Sequence, residues 1–144
     1  MQRTLAILFT LIPRAFHRHG FGVQSPSDYE LVRDVLFESL PYYAYSEQGL
    51  TTPSQQQLFR IRNHFRNSPI VIIDSKGEQA ACEFRDTMKA ITPETVLIIE
   101  HINRANSKLW EQAVSDSRCI LTFDMRKRGL ILFTPKRIKQ NYLL

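Results

Sequence analysis

Pro69-Ile70-Val71-Ile72-Ile73-Asp74-Ser75-Lys76-Gly77-Glu78 is the stretch on which the fold turns. Ile70 to Ile73 are all β-branched, and Pro69 and Asp74 bound them. A short, continuous apolar run of this kind reads as a strand buried on both faces, as in a parallel sheet. Ser75 and Glu78 then have the spacing of a capping box, which predicts a helix start. Ala81, Phe84, Met88 and Ile91 follow as its apolar stripe, and Pro93 ends the connection. Thr95-Val96-Leu97-Ile98-Ile99 repeats the buried-strand pattern. Strand, helix and strand at this spacing imply a right-handed βαβ unit.

Downstream, Asn103 or Asn106 can cap a further helix whose inward positions are Leu109, Trp110, Ala113 and Val114. Cys119-Ile120-Leu121-Thr122-Phe123 and Leu130-Ile131-Leu132-Phe133 flank Asp124 to Gly129 and read as an antiparallel hairpin. Pro135 and a basic tail close the chain. Upstream, the period is helical. Ser25, Pro26 and Asp28 form a helix start, and Leu31, Val32, Val35, Leu36 and Leu40 line one face as far as Pro41. Tyr42-Tyr43-Ala44-Tyr45 comes next. Thr52-Pro53 then opens another helix, buried through Leu58, Ile61 and Phe65 and broken at Asn67-Ser68-Pro69. The expected fold is one α/β domain over residues 1–144, with helices over 1–66 and a sheet of about four strands over 67–144.

The 43% hydrophobic and 23% charged residues place the chain among soluble globular proteins. No run reaches the ~20 apolar residues that span a bilayer. Arg3 and the apolar run Leu5 to Ile12 imitate a signal peptide, but Pro13-Arg14-Ala15-Phe16-His17 replaces a cleavage site, so a packed or interfacial helix is expected. Cys82 and Cys119 make no zinc or disulfide pattern and read as free, buried thiols in a reducing, cytoplasmic compartment. The net charge of +5 has two sequence clusters. Arg14, His17, Arg18 and His19 form one, and Arg126, Lys127, Arg128, Lys136, Arg137 and Lys139 the other. Neither matches a nucleic-acid motif, so a solvated basic face is preferred to a nucleic-acid partner.

The order of elements resembles the second half of a class I S-adenosylmethionine-dependent methyltransferase, which ends in two parallel strands, a helix and an antiparallel hairpin. His17-Arg18-His19-Gly20-Phe21-Gly22-Val23-Gln24-Ser25-Pro26 is similar to the "RHGHGxHSP" opening of a bacterial, Bacteroides-type subgroup of these proteins. Tyr42-Tyr43-Ala44-Tyr45 resembles that subgroup's "YYAY" segment. Val96 to Asn103 falls where the subgroup has a strand ending in "DDIHW". The resemblance implies a Rossmann-like sheet and S-adenosylmethionine as cofactor. The departures point the other way. The family's "E-x-G-x-x-x-G"-like loop is replaced by Asp74-Ser75-Lys76-Gly77-Glu78, with one glycine. Ile70 to Ile73 also aligns with a later family strand ending in "IDG", and the two alignments stay open. In either, half of the family sheet has no counterpart, and Glu100 and His101 stand where the paired aspartates would be. The resemblance therefore implies a shortened methyltransferase-like protein that has lost cofactor binding and catalysis. Two alternatives are an enzyme whose site is completed by oligomerisation and a small basic nucleic-acid binder. The N-terminal helices or a second copy of the chain are expected to cover the free sheet edge.

Candidate site residues follow from strand ends, where α/β sheets bind ligands. Asp74, Ser75 and Gly77 are the cofactor-binding candidates, although Asp74 also suits a plain turn. Asp74, Glu100, His101 and Asn103 are the acid–base candidates, with Glu100 and His101 on opposite sides if the strand continues. Their spacing is not a metal motif, and none is expected. Tyr42, Tyr43 and Tyr45 can stack on a base, but packing against neighbouring elements is preferred.

Overall fold

A computed structural model describes Val23 and residues 25–144. The apolar run at 5–12 and the segment His17 to Gly22 lie outside the described residues. The chain divides into two compact units, residues 1–66 and 67–144.

In the first unit, α1 (Pro26–Glu30) passes directly into a π-helical turn, Leu31–Leu36. Pro26 occupies the first turn as expected, but Ser25 makes no side-chain cap; its hydroxyl meets that of Ser27 at 3.0 Å. Leu31, Val32, Val35 and Leu36 are buried, whereas Leu40 is exposed because the helix stops at Leu36. The last carbonyls of the π turn would be orphans. Arg60 Nε donates to Val35 O at 2.6 Å, and Gln57 Nε2 donates to Leu36 O at 2.8 Å. A guanidinium at a helix C-terminus also meets the negative end of the dipole. Both donors come from α3 (Pro53–His64), whose start is the expected Thr52 cap, with Gln55 closing a full capping box. Between them lies α2 (Tyr43–Glu47). Tyr45 is buried, edge-on to Phe59 at 5.7 Å, and its hydroxyl accepts from Arg60 Nη1 at 3.0 Å. Tyr42 and Tyr43 are exposed.

In the second unit the elements are β1 (Ile70–Ile73), α4 (Glu78–Lys89), β2 (Val96–Glu100), α5 (Ser107–Ser115), β3 (Leu121–Asp124), β4 (Arg128–Leu132) and β5 (Gln140–Leu143). They form one mixed sheet in the order β1-β2-β4-β3-β5. β1 and β2 are parallel, with Ile70 opposite Val96 and Ile73 opposite Ile99. β4 lies antiparallel between β2 and β3, so β2 and β3 run the same way. The sheet has five strands, not about four. The missed strand is β5, parallel to β3 at the sheet edge. It sits in what reads as a basic tail, and Gln140 and Asn141 give it no apolar run. Its anchor is Tyr142, stacked on Phe123 at 5.0 Å.

One face of the sheet packs Ile73, Leu97, Ile99 and Ile131 against Phe84 and Met88 of α4 and Leu109, Trp110 and Ala113 of α5. Ala80, rather than Ala81, completes the α4 stripe. Val96, Ile98, Leu121, Phe123 and Leu130 on alternate strand positions are buried too, which explains the unbroken apolar reading of β2. Trp110 lies directly on Gly129: a Cβ there would stand 2.3 Å from Trp110 Cζ3. Cys119 is buried, but Cys82 is exposed. Residue 82 sits about 200° around the helix from Ala80, and so on the solvent side. Among the described residues no helix is long and apolar enough to cross a membrane.

Candidate functional site

The parallel strands β1 and β2 end side by side, and the β3–β4 turn joins them at the same end, where Ile102 N donates to Lys127 O at 3.0 Å. This is where open α/β sheets present ligand-binding groups.

Two of the acid–base candidates meet here. Asp74 Oδ1 lies 2.8 Å from His101 Nε2. β2 stops at Glu100, and His101 takes φ +60°, a left-handed conformation uncommon outside glycine. The strand does not continue through His101, so the alternation expected from sequence gives way to a turn. The imidazole ends up against the carboxylate of the neighbouring strand. The pair is open to water, with side-chain exposures of 36% for His101 and 75% for Asp74.

The other two candidates are placed elsewhere. Glu100 Oε1 accepts from Arg128 Nε at 2.5 Å, and the two side chains are only 15% and 7% exposed. They face one another across the β2–β4 ladder, so Glu100 belongs to a buried ion pair. Asn103 is exposed on the turn after β2.

The residue that organises this end is Asn106, read from sequence as a helix cap. It stands at the N-cap position of α5 but makes no cap bond. Its side chain reaches back, 1% exposed, into the space between the two strand ends. Asn106 Nδ2 donates to Ser75 O and to Glu100 O, each at 2.9 Å. Asn106 Oδ1 accepts from Gly77 N at 3.0 Å. One carboxamide thus uses both donor hydrogens and its acceptor to tie the β1–α4 connection to the end of β2. The expected capping box does not form. The connection turns at Gly77, with φ +63°, and α4 starts at Glu78, so Ser75 lies too far back to cap. Ser75 Oγ is buried with no hydrogen-bond partner.

Chemically, an exposed imidazole held by a carboxylate is an oriented base. Among the described residues no three His, Cys, Asp or Glu side chains converge to hold a metal ion. No family model, curated protein or solved structure matches the chain.

Proposed function

We propose that this chain is a methyltransferase-like α/β protein that neither binds S-adenosylmethionine nor transfers methyl groups, and that it acts through contacts with other molecules. The observation that carries the reading is the Asn106 carboxamide. A dinucleotide- or nucleoside-type cofactor in such a fold is held by main-chain N–H groups of the first strand–helix turn and by a strand-end carboxylate. Here the Gly77 N–H is already bonded to Asn106, and the Glu100 carboxylate to Arg128. Asp74 is left, and it engages His101. These residues do not fit the cofactor that the resemblance implies. The order of two parallel strands, a helix and a hairpin supports the methyltransferase-like part of the reading.

The Asp74–His101 pair favours a second reading, an enzyme whose site is completed by another copy of the chain. Formation of S-adenosylhomocysteine from S-adenosylmethionine, with cell extract as methyl acceptor, separates the two. The expected result is no product above the extract alone. Product that requires the chain and disappears with His101→Gln would establish the second reading instead. Light scattering tests the homodimer: a strict monomer would remove a second copy as the partner.

A further inference from the structure

Of the two basic clusters in the sequence, Arg14 to His19 lies outside the described residues, and the fold breaks up the other. Arg128 is buried against Glu100, Lys139 Nζ is held by the carbonyls of Asp116 and Cys119 at 2.8 and 2.6 Å, and Lys136 lies in the β4–β5 connection, at the far end of β4 from the β3–β4 turn. The fold gathers a different set. Lys76 follows β1, Arg104 and Lys108 follow β2, and Arg126 and Lys127 form the β3–β4 turn, all at the C-terminal end of the parallel strands. All five are exposed, and none of their side chains has an acidic partner among the described residues. Elsewhere in this unit Arg85, Lys89 and Arg118 face Glu78, Asp86 and Asp116. The acids at this end each have a partner: Asp74 in His101, Glu100 in Arg128, Asp124 in the Arg126 N–H, and Glu78, at the start of α4, in Arg85. The five cations still outnumber the carboxylates of Asp74, Asp124 and Glu78.

We infer that this end of the sheet binds the phosphodiester backbone of nucleic acid, without reading its sequence. The loops belong to strands in the order β1-β2-β4-β3. Three strand intervals of ~4.8 Å span about 14 Å, the reach of about four phosphates at a stacked spacing of ~3.4 Å. Two of the cations are arginines, which match phosphate oxygens with paired donors. Trp110 is buried, and residues 74–77, 101–108 and 124–128 at this end include no Trp, Tyr or Phe for base stacking. The binding is therefore electrostatic, and salt governs it.

The test is fluorescence anisotropy of a labelled oligothymidylate with the full chain, across a salt series. At about −0.7 in log–log slope per phosphate, four contacts give a slope near −3 and roughly a 50-fold loss of affinity between about 50 and 200 mM salt. A Lys76→Gln, Arg104→Gln, Arg126→Gln, Lys127→Gln variant is expected to lose most of that slope and at least tenfold in affinity at low salt. A control variant, Lys89→Gln, Arg118→Gln, Lys136→Gln, Arg137→Gln, removes the same charge from the other end of the sheet and is expected to stay within about twofold of the parent, as surface changes outside the contact do. Circular dichroism checks that both variants are folded. No binding at low salt, or equal loss in the two variants, overturns the site. Competition by polyglutamate as strong as by unlabelled oligonucleotide overturns the nucleic-acid assignment in favour of an acidic protein surface. None of these outcomes depends on whether the cofactor binds.

Discussion

Replacing Asn106 with alanine removes three hydrogen bonds at once. The Gly77 N–H and the carbonyls of Ser75 and Glu100 lose the partner that joins the two strand ends. A buried polar group left unpaired costs about 1–3 kcal/mol. Ser75 and Glu100 are half-buried and Gly77 is exposed, so water recovers part of each loss and the low end of the range applies. Three groups at about 1 kcal/mol each give a destabilisation near 3 kcal/mol. A domain of this size holds ~5–15 kcal/mol in total, so the change is a large share of it. It corresponds to a fall of roughly 10 °C in Tm. Trp110, the single tryptophan, sits in the affected unit and reports its unfolding in urea. Asn103→Ala is the matched control: that side chain is exposed on the same turn, and a change within ~0.5 kcal/mol is expected. A loss below about 1 kcal/mol for Asn106→Ala, or equal losses at the two positions, would refute the assignment of Asn106 as the tie between the strands.

Gly129→Ala drives a methyl group into the Trp110 ring, and such overpacking in a core costs about 1–3 kcal/mol; urea unfolding and a shifted tryptophan emission would show it. Burial pushes the Cys119 thiol up to about 12, so one thiol, Cys82, is expected to react with a disulfide reagent at pH 8 in the folded chain and two in denaturant. The hydrogen-bonded Arg118 guanidinium holds the Asp116 carboxyl below the usual carboxylate range. A depressed folded value contributes stability that is present above the unfolded value of about 4 and is lost as pH falls through the folded one. Urea midpoints should therefore drop at acid pH, and drop less in Arg118→Gln.

The parts of this fold that are buried on both faces were legible in the sequence. Val96 to Ile99 carry an unbroken aliphatic run because both faces of β2 are covered. Ile70 to Ile73 read the same way, but β1 is an edge strand and of its four residues only Ile73 is buried, so the expected burial on both faces does not hold there. β5 was illegible because Gln140 and Asn141 leave it no apolar run; like β1 it is an edge strand, but it is half polar. At the candidate site, Asp74 and His101 could be placed together from strand order alone, since parallel neighbours end at one side. The role of Asn106 could not. Asn before a helix carries the local signal of a cap, and its long-range bonds to Ser75, Gly77 and Glu100 leave no trace in spacing. Arg128 was hidden for the same reason: it sits in a run of basic residues, and only the register opposite Glu100 marks it as buried. The Gly77 turn shifted the helix start by defeating a capping box that local spacing alone supports.

Calorimetric titration of the purified chain with S-adenosylmethionine tests the central claim most directly. With the Gly77 N–H bonded to Asn106 and Glu100 bonded to Arg128, no saturable heat is expected up to millimolar cofactor. Saturable binding near one cofactor per chain, or per pair of chains, would contradict the account.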